Sequence, residues 1–198
     1  MTAVTTYPHE VPPTGPAAAF AATLRAPLPR LETPRLVLRA PVIADFAAYR
    51  EIVMSTRARH MYDALPDREG AWLDFTQCIA GWLLRGHGMF TITEKQNGDV
   101  LGFVLILMEF GDREPELGWF LTEAAEGHGY AFEAAGAVRD WGLDTLGLDR
   151  LVSYVDPPNA RSIRLAERLG AWRDATAEAE FDVPLRVYRH APRPEAQA

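Results

Sequence analysis

Residues 116–170 read ELGWFLTEAAEGHGYAFEAAGAVRDWGLDTLGLDRLVSYVDPPNARSIRLAERLG, and their order decides the fold. Glu116–Leu121 has the character of a strand, and a loop carrying Gly127 and Gly129 opens a long helix near Tyr130. Leu151–Val155 returns as a strand, and Asn159 caps a shorter helix that Gly170 ends. A strand, a crossover helix and a strand of this length predict a right-handed parallel unit. Glycine at 127 and 129 lets backbone approach an anion closely, and the helix behind it offers unpaired N–H groups at the positive end of its dipole. The arrangement suits a diphosphate with a thin arm attached. A glycine pair that merely shapes a tight strand-to-helix turn is the plainer explanation of the same residues.

The flanking sequence completes the sheet. Arg35–Arg39 alternates as a half-buried strand, and a helix starting across Pro41–Asp45 puts Phe46, Tyr49 and Val53 on one face. A second helix follows Asp67 as N-cap, with Trp72, Phe75, Ile79, Trp82 and Leu83 as its apolar stripe. Met89–Thr93 and Val100–Met108, joined through Asn97-Gly98, predict a hairpin whose second arm is apolar almost throughout and hence central. On the long helix Tyr130, Ala134, Ala137 or Val138, and Trp141 form the inward face. Ala171–Thr176 and Phe181–Arg189 are expected as the last two strands, the latter interrupted by Pro184. The fold class is mixed α/β: a mostly antiparallel sheet of about six to seven strands flanked by helices.

Composition bounds the function. With 198 residues, 48% apolar and 24% charged, the chain suits one well-buried domain. Residues 1–29, rich in Pro, Ala and Thr, read as an extension in which Ala17–Leu24 can form a short helix; 30–190 form the domain and 191–198 a flexible tail. A net charge of −7 and a pI near 5.2 argue against nucleic acid and favour an amine or cationic partner. Cys78 is alone, excluding an intramolecular disulfide, and its place in the periodic run reads as a core thiol. The 5 histidines show no ligand spacing, so no metal is expected. No basic segment followed by an apolar core opens the chain, and no apolar stretch approaches the roughly 18 residues of a membrane span. A cytoplasmic protein with no membrane partner is the expectation. GxGxxG after an early strand and GxxxxGK[ST] are both missing, which disfavours a nucleotide-binding α/β protein.

The segments ELGWFL, EGHGYAFEA and DPPNARSIRLAERLGA, in this order and at this spacing, resemble the GNAT family of acyl-CoA-dependent N-acetyltransferases. Within it they are similar to the branch that acetylates ribosomal-protein N-termini and related amines; the likeness extends more weakly over Leu31–Arg189. The resemblance implies that the two parallel strands splay apart and that the pantetheine arm of acetyl-CoA enters the gap. Its cofactor loop maps onto Glu126, Gly129 and Ala131, with Gly127, His128 and Tyr130 completing it. Glu126 and His128 depart from the family's usual Arg, Gln or Trp and its Lys or Arg. A carboxylate beside a diphosphate is repelled by roughly 1 kcal/mol at close range in a water-like dielectric. Glu126 is therefore expected to point to solvent or to weaken coenzyme A binding.

The same resemblance implies roles for individual residues. Backbone N–H groups around Phe120 and Leu121 would meet the oxyanion, and Asn159 would bond the pantetheine amides beside its ordinary work as a cap. Ser162 would help protonate the departing thiolate, its plainer role being a first-turn hydroxyl; Tyr154 is the second candidate. Attack on a thioester needs an amine that has lost a proton. Glu116 is the leading base, Glu109 and Glu114 are alternatives, and an ordinary solvated acid is the bland reading. Tyr62 and Asp63, in the loop before the second helix, and Trp119 would meet the acceptor. The implied reaction moves an acetyl group from acetyl-CoA to a primary amine, on a protein N-terminus or a small molecule, by direct attack in a ternary complex. No acyl-enzyme is implied, since nothing activates Cys78. A catalytically inactive acyl-CoA-binding regulatory module of the same fold is the alternative, and a homodimer is compatible with the family.

Overall fold

The computed structural model describes residues 6–62 and 64–190. In chain order the elements are α1 (Gly15–Arg25), β1 (Leu31–Glu32), β2 (Leu36–Arg39), α2 (Phe46–Val53), α3 (Arg68–Arg85), β3 (Met89–Glu94), β4 (Val100–Leu107), β5 (Glu116–Leu121), α4 (Tyr130–Asp140), β6 (Val152–Val155), α5 (Ala160–Arg168), β7 (Trp172–Arg173), α6 (Ala175–Glu178) and β8 (Arg186–Arg189). One 8-stranded sheet has the order β1-β2-β3-β4-β5-β6-β8-β7. All neighbours are antiparallel except β5 and β6. The two-residue strands β1 and β7 close the edges and raise the count above that expected.

The apolar run of β4 is explained by its place. Val104 and Ile106 join Leu36, Leu38, Leu117 and Val138 on the α4 face, whereas Phe103, Leu105 and Leu107 join Phe46, Tyr49, Phe75 and Phe120 on the α2–α3 face. Strand alternation thus assigns β5 as well: Leu117 and Leu121 lie toward α4, and Phe120, with Gly118 and Glu116 in phase, lies toward α2 and α3. Asp67 caps α3 by accepting the Gly70 N–H at 2.8 Å, and Gly86 ends it at φ 76°. Ala71, Phe75, Cys78 and Trp82 form its buried stripe, and Leu83 is 84% exposed, contrary to expectation. One residue past Trp82 the helix has turned by about 100°, away from the sheet.

The C-terminal strands are shorter than the sequence suggests. Asp174 accepts the N–H groups of Thr176 and Ala177, so the chain turns into α6 after Arg173. The last strand starts only at Arg186, two residues after Pro184, which has no N–H to give a ladder. After α4 the chain continues through a turn of π-helix over Trp141–Thr145 that periodicity does not foretell. Near the N-terminus Glu10 is gripped by Arg68 at 2.6 Å and Arg50 at 3.4 Å, and Tyr7 lies on the Arg68 guanidinium. These contacts tie residues 7–10 to α2 and α3.

Gly102 sits in β4 with φ 152°, where a Cβ would stand 2.3 Å from the Phe120 carbonyl oxygen and 2.7 Å from Leu121 Cα. Neither backbone atom can move without pushing β5 off β4. Gly102→Ala is expected to destabilise the fold by about 3 kcal/mol in denaturant unfolding.

Candidate active site

The parallel pair β5–β6 is held at one register position, Glu116 opposite Val152, with the Val152 N–H on the Pro115 carbonyl at 3.0 Å. One step on, two side chains replace the ladder. The Tyr154 N–H bonds the Glu116 carboxylate at 3.4 Å, and the Ser153 hydroxyl donates to the Leu117 carbonyl at 2.6 Å. Beyond them the strands part. The Thr122 N–H on the Leu101 carbonyl, at 2.9 Å, sets the phase of the β4–β5 ladder. Antiparallel alternation then turns the Phe120 N–H toward β4 and leaves those of Trp119 and Leu121 along the gap. Of the two donors expected at 120 and 121, Leu121 faces the gap and Phe120 does not.

At the open end of the gap lies the glycine loop. Gly127 and Gly129 hold φ near 80° and 79°, left-handed conformations in which glycine is unstrained. Gly129 is the N-cap of α4 and supplies no side-chain cap, so the first-turn N–H groups keep the character of an anion site. No heavy atom lies within 4 Å of a Cβ built at Gly127. Arg35, just before β2, reaches in and donates to the His128 carbonyl at 2.9 Å and to Glu133 at 2.7 Å, and Thr33 adds a bond to Glu133 at 2.6 Å. Ala131 is half-buried against the core. The side chains of His128 and Tyr130 line a separate hollow of about 370 Å³ with Thr122, and Tyr130 donates to Glu94 at 2.8 Å. Toward the gap these two residues offer backbone.

Glu126 does not point into solvent. Arg57, in the turn after α2, bonds its carboxylate and also donates to the Leu121 carbonyl at 2.8 Å. Arg161, in the first turn of α5, bonds the other carboxylate oxygen at 2.6 Å. Partial burial works against the charge on Glu126, but the two guanidiniums outweigh it and hold the carboxyl below its usual range.

On the α2–α3 side, acids gather around Glu116. Asp74 of α3 accepts from Tyr49 at 2.8 Å and from Tyr62, which is thereby brought to the acidic group. Glu109, Asp74 and Cys78 place potential ligand atoms within 4.8 Å of one another, and Asp112 accepts the Glu109 N–H at 2.6 Å. Among the described residues no basic side chain pairs with Asp74, Glu109, Asp112 or Glu116. Burial, then Asp112 and Glu109, push Glu116 up to about 8, with the Tyr154 N–H opposing; burial, then Asp74 and Asp112, push Glu109 up to about 6. Burial likewise keeps the Cys78 thiol protonated. Glu114 is committed elsewhere, to Arg189 at 2.7 Å and Arg150 at 3.5 Å.

The remaining expected residues divide between the faces. Tyr154 stands beside Glu116, its hydroxyl accepting the Glu114 N–H at 3.2 Å and its ring against Phe181. Asn159 caps α5 through the Ser162 N–H at 3.2 Å, and α5 packs by Ile163 and Ala166 on Val155 and Trp119. Ser162 and Trp119 therefore belong to the α4–α5 side and are not brought together with Glu116. Asp63 lies outside the described residues. Asp74, Asp112, Arg57 and Arg161 went unread in sequence; only Asp74 left a signal, an acid four residues before Cys78 on the buried stripe.

Residues 35–171 match the acetyltransferase (GNAT) domain family, and the chain belongs to that family. The crystal structure of an acetyltransferase from Agrobacterium tumefaciens str. C58 is similar, with 39% identity, a TM-score of 0.75 and coverage of 83% of this chain and 95% of that one. YkkB of Bacillus subtilis (strain 168), an uncharacterised protein, is 30% identical over 133 residues, 64% of this chain and 74% of its own length. RimL, the ribosomal L7/L12 alpha-N-protein acetyltransferase, solved in complex with coenzyme A, shares the fold at 17% identity with a TM-score of 0.65, covering 81% of this chain and 97% of that one. The gap edged by Trp119 and Leu121, the uncapped start of α4 and the arginines around it fit the arm and diphosphate of coenzyme A. No helix among the described residues is long and apolar enough to cross a membrane.

The raised carboxyl of Glu116 makes stability depend on pH. In the unfolded chain it ionises near 4.5, whereas in the fold it keeps its proton to about 8. Between these values the folded state binds more protons, so stability falls as pH rises. Glu116→Gln is expected to gain stability on the parent as pH rises from 4.5 towards 8, by up to about 5 kcal/mol above pH 8, the difference vanishing near pH 4, as read from denaturant midpoints.

Proposed function

We propose that the chain is an acetyl-CoA-dependent N-acetyltransferase acting on a primary amine, on a small molecule or a peptide N-terminus, by direct attack in a ternary complex. The observation that carries this reading is the placement of Glu116: a carboxyl at the closed end of the β5–β6 gap, on the face where Asp74, Glu109 and Asp112 converge. Acetyl-CoA would supply a thioester carbonyl along that gap. The Gly127–Tyr130 backbone would hold its diphosphate, and the N–H groups of Trp119 and Leu121 and the side chain of Asn159 would hold its arm.

An amine arrives in water as an ammonium ion, and a cluster of carboxylates without basic partners attracts it. The same positive charge favours the ionised form of Glu116, offsetting the neighbours that raise its pKa. Glu116 would then accept the ammonium proton at a carboxylate oxygen, directly or through water, and free the nitrogen lone pair. Tyr62, held on Asp74, would border the acceptor. Of the two candidate acids, Tyr154 is tied to Glu116 by its backbone N–H and its hydroxyl accepts the Glu114 N–H, whereas Ser162 is displaced to the other face.

Glu116→Gln is expected to lower turnover about 10²- to 10⁴-fold with an amine acceptor while leaving acetyl-CoA affinity within about twofold. The parent kcat/KM should rise with pH through a group near 8, and that limb should be lost in the variant. An unchanged rate in Glu116→Gln would remove Glu116 as base.

A further inference from the structure

The mouth of the gap is bridged by three residues from three separate parts of the chain. Glu126 belongs to the glycine loop, Arg57 to the turn after α2, and Arg161 to the first turn of α5 on the far side of the gap. Each guanidinium takes one oxygen of the Glu126 carboxylate, Arg161 at 2.6 Å, and Arg57 also holds the Leu121 carbonyl at 2.8 Å. Arg57 and Glu126 are about three-quarters and two-thirds covered, while Arg161 is 78% exposed. A carboxylate and a phosphate make the same kind of paired bonds to guanidinium groups, so either anion can satisfy this pair. Gly127 follows Glu126 directly, and the uncapped N–H groups of α4 begin three residues further on. A diphosphate on that helix start comes within reach of the guanidiniums that Glu126 engages.

We propose that Arg57 and Arg161 are diphosphate-binding residues for the acyl-CoA substrate and that Glu126 is an internal anion competing for them. This rests on the acetyl-CoA reading above. Binding is then an exchange: the diphosphate takes the guanidiniums, the Glu126 carboxylate swings to water, and the bridge between the loop and α5 opens to admit the arm. Glu126 lowers affinity by occupying its competitors' partners, and it holds the arginines aimed at the gap. The family's usual basic or amide residue at this loop position is replaced here by two arginines supplied from elsewhere in the chain.

Calorimetric titration with acetyl-CoA, its 3′-dephospho form and S-acetylpantetheine tests this on the full chain. Removing the competitor in Glu126→Gln should tighten acetyl-CoA and the 3′-dephospho form about three- to tenfold, roughly the value of one surface charge contact, and leave S-acetylpantetheine unchanged. Arg57→Gln and Arg161→Gln should each weaken the two diphosphate ligands about tenfold and spare S-acetylpantetheine, providing the same test from the opposite side should the Glu126 variant fold poorly. Equal or weaker binding of acetyl-CoA by a folded Glu126→Gln, or tightening shared by S-acetylpantetheine, overturns the competition. An effect confined to the 3′-phosphorylated ligand assigns the arginines to that phosphate and overturns it too. Failure of the parent protein itself to bind acetyl-CoA overturns the acetyltransferase reading and this inference with it, an outcome distinct from the others.

Discussion

The structure depends on the failure of two parallel strands to stay paired. A regular ladder from Glu116 and Val152 would next place the Tyr154 N–H on the Leu117 carbonyl; instead each finds a side chain, Glu116 for the one and Ser153 for the other. That exchange satisfies the backbone at the point of separation, where an unpaired buried group would cost about 1–3 kcal/mol. Each strand is anchored on its outer side, β5 along its length by β4 and β6 by β8. The gap is therefore a fixed feature of the sheet. Its edge carries main-chain donors that no neighbouring strand uses, which is what an extended ligand arm with amides requires.

Charge is distributed along that gap with opposite signs at its two ends. The net charge of −7 conceals this. Arg35, Arg57 and Arg161 surround the glycine loop, whereas Asp74, Glu109, Asp112 and Glu116 gather at the closed end on the α2–α3 face. Screening over about 8–10 Å at physiological salt keeps the two regions from cancelling each other. In the proposed reaction the arginine-bearing end, once Glu126 gives up its partners, would receive the polyanion and the acidic end the cation, so charge would sort the two substrates.

Much of the fold was legible because it is local. The hairpin at Asn97-Gly98, the cap at Asp67, the loop at Gly127–Gly129 and the cap at Asn159 are each written within a few residues. The unread parts depend on partners far along the chain. Glu126 looks like a defect when its neighbours in sequence are considered, and becomes intelligible only with Arg57 and Arg161, 69 and 35 positions away. Asp74 went unread beside the apolar stripe of α3, since its two tyrosines lie 25 and 12 positions off. The shortened final strand is a different case: Asp174 as a helix cap is a local signal, masked by the apolar character of Ala171 and Trp172 before it.

Glu116 joins the sheet to the acidic group, for it closes the ladder and stands beside Asp112 and Glu109 at once. As a ladder element it needs only an acceptor oxygen for the Tyr154 N–H, a part glutamine could play. As a member of the acidic group it is costly, because burial and two neighbouring carboxylates disfavour its charge. A residue selected for the sheet alone would be the amide. In the proposed reaction the charge of a carboxyl is wanted at this position, and an arriving ammonium ion would make that charge favourable. Neutral Glu116 with a neutral amine and ionised Glu116 with an ammonium ion contain the same number of protons, so the site can bind the cation and hold the nucleophile without exchanging a proton with bulk water. In the proposed reaction, the neighbours that disfavour the charge on Glu116 would tilt the proton toward the carboxyl in the bound pair, the direction that frees the nitrogen to attack.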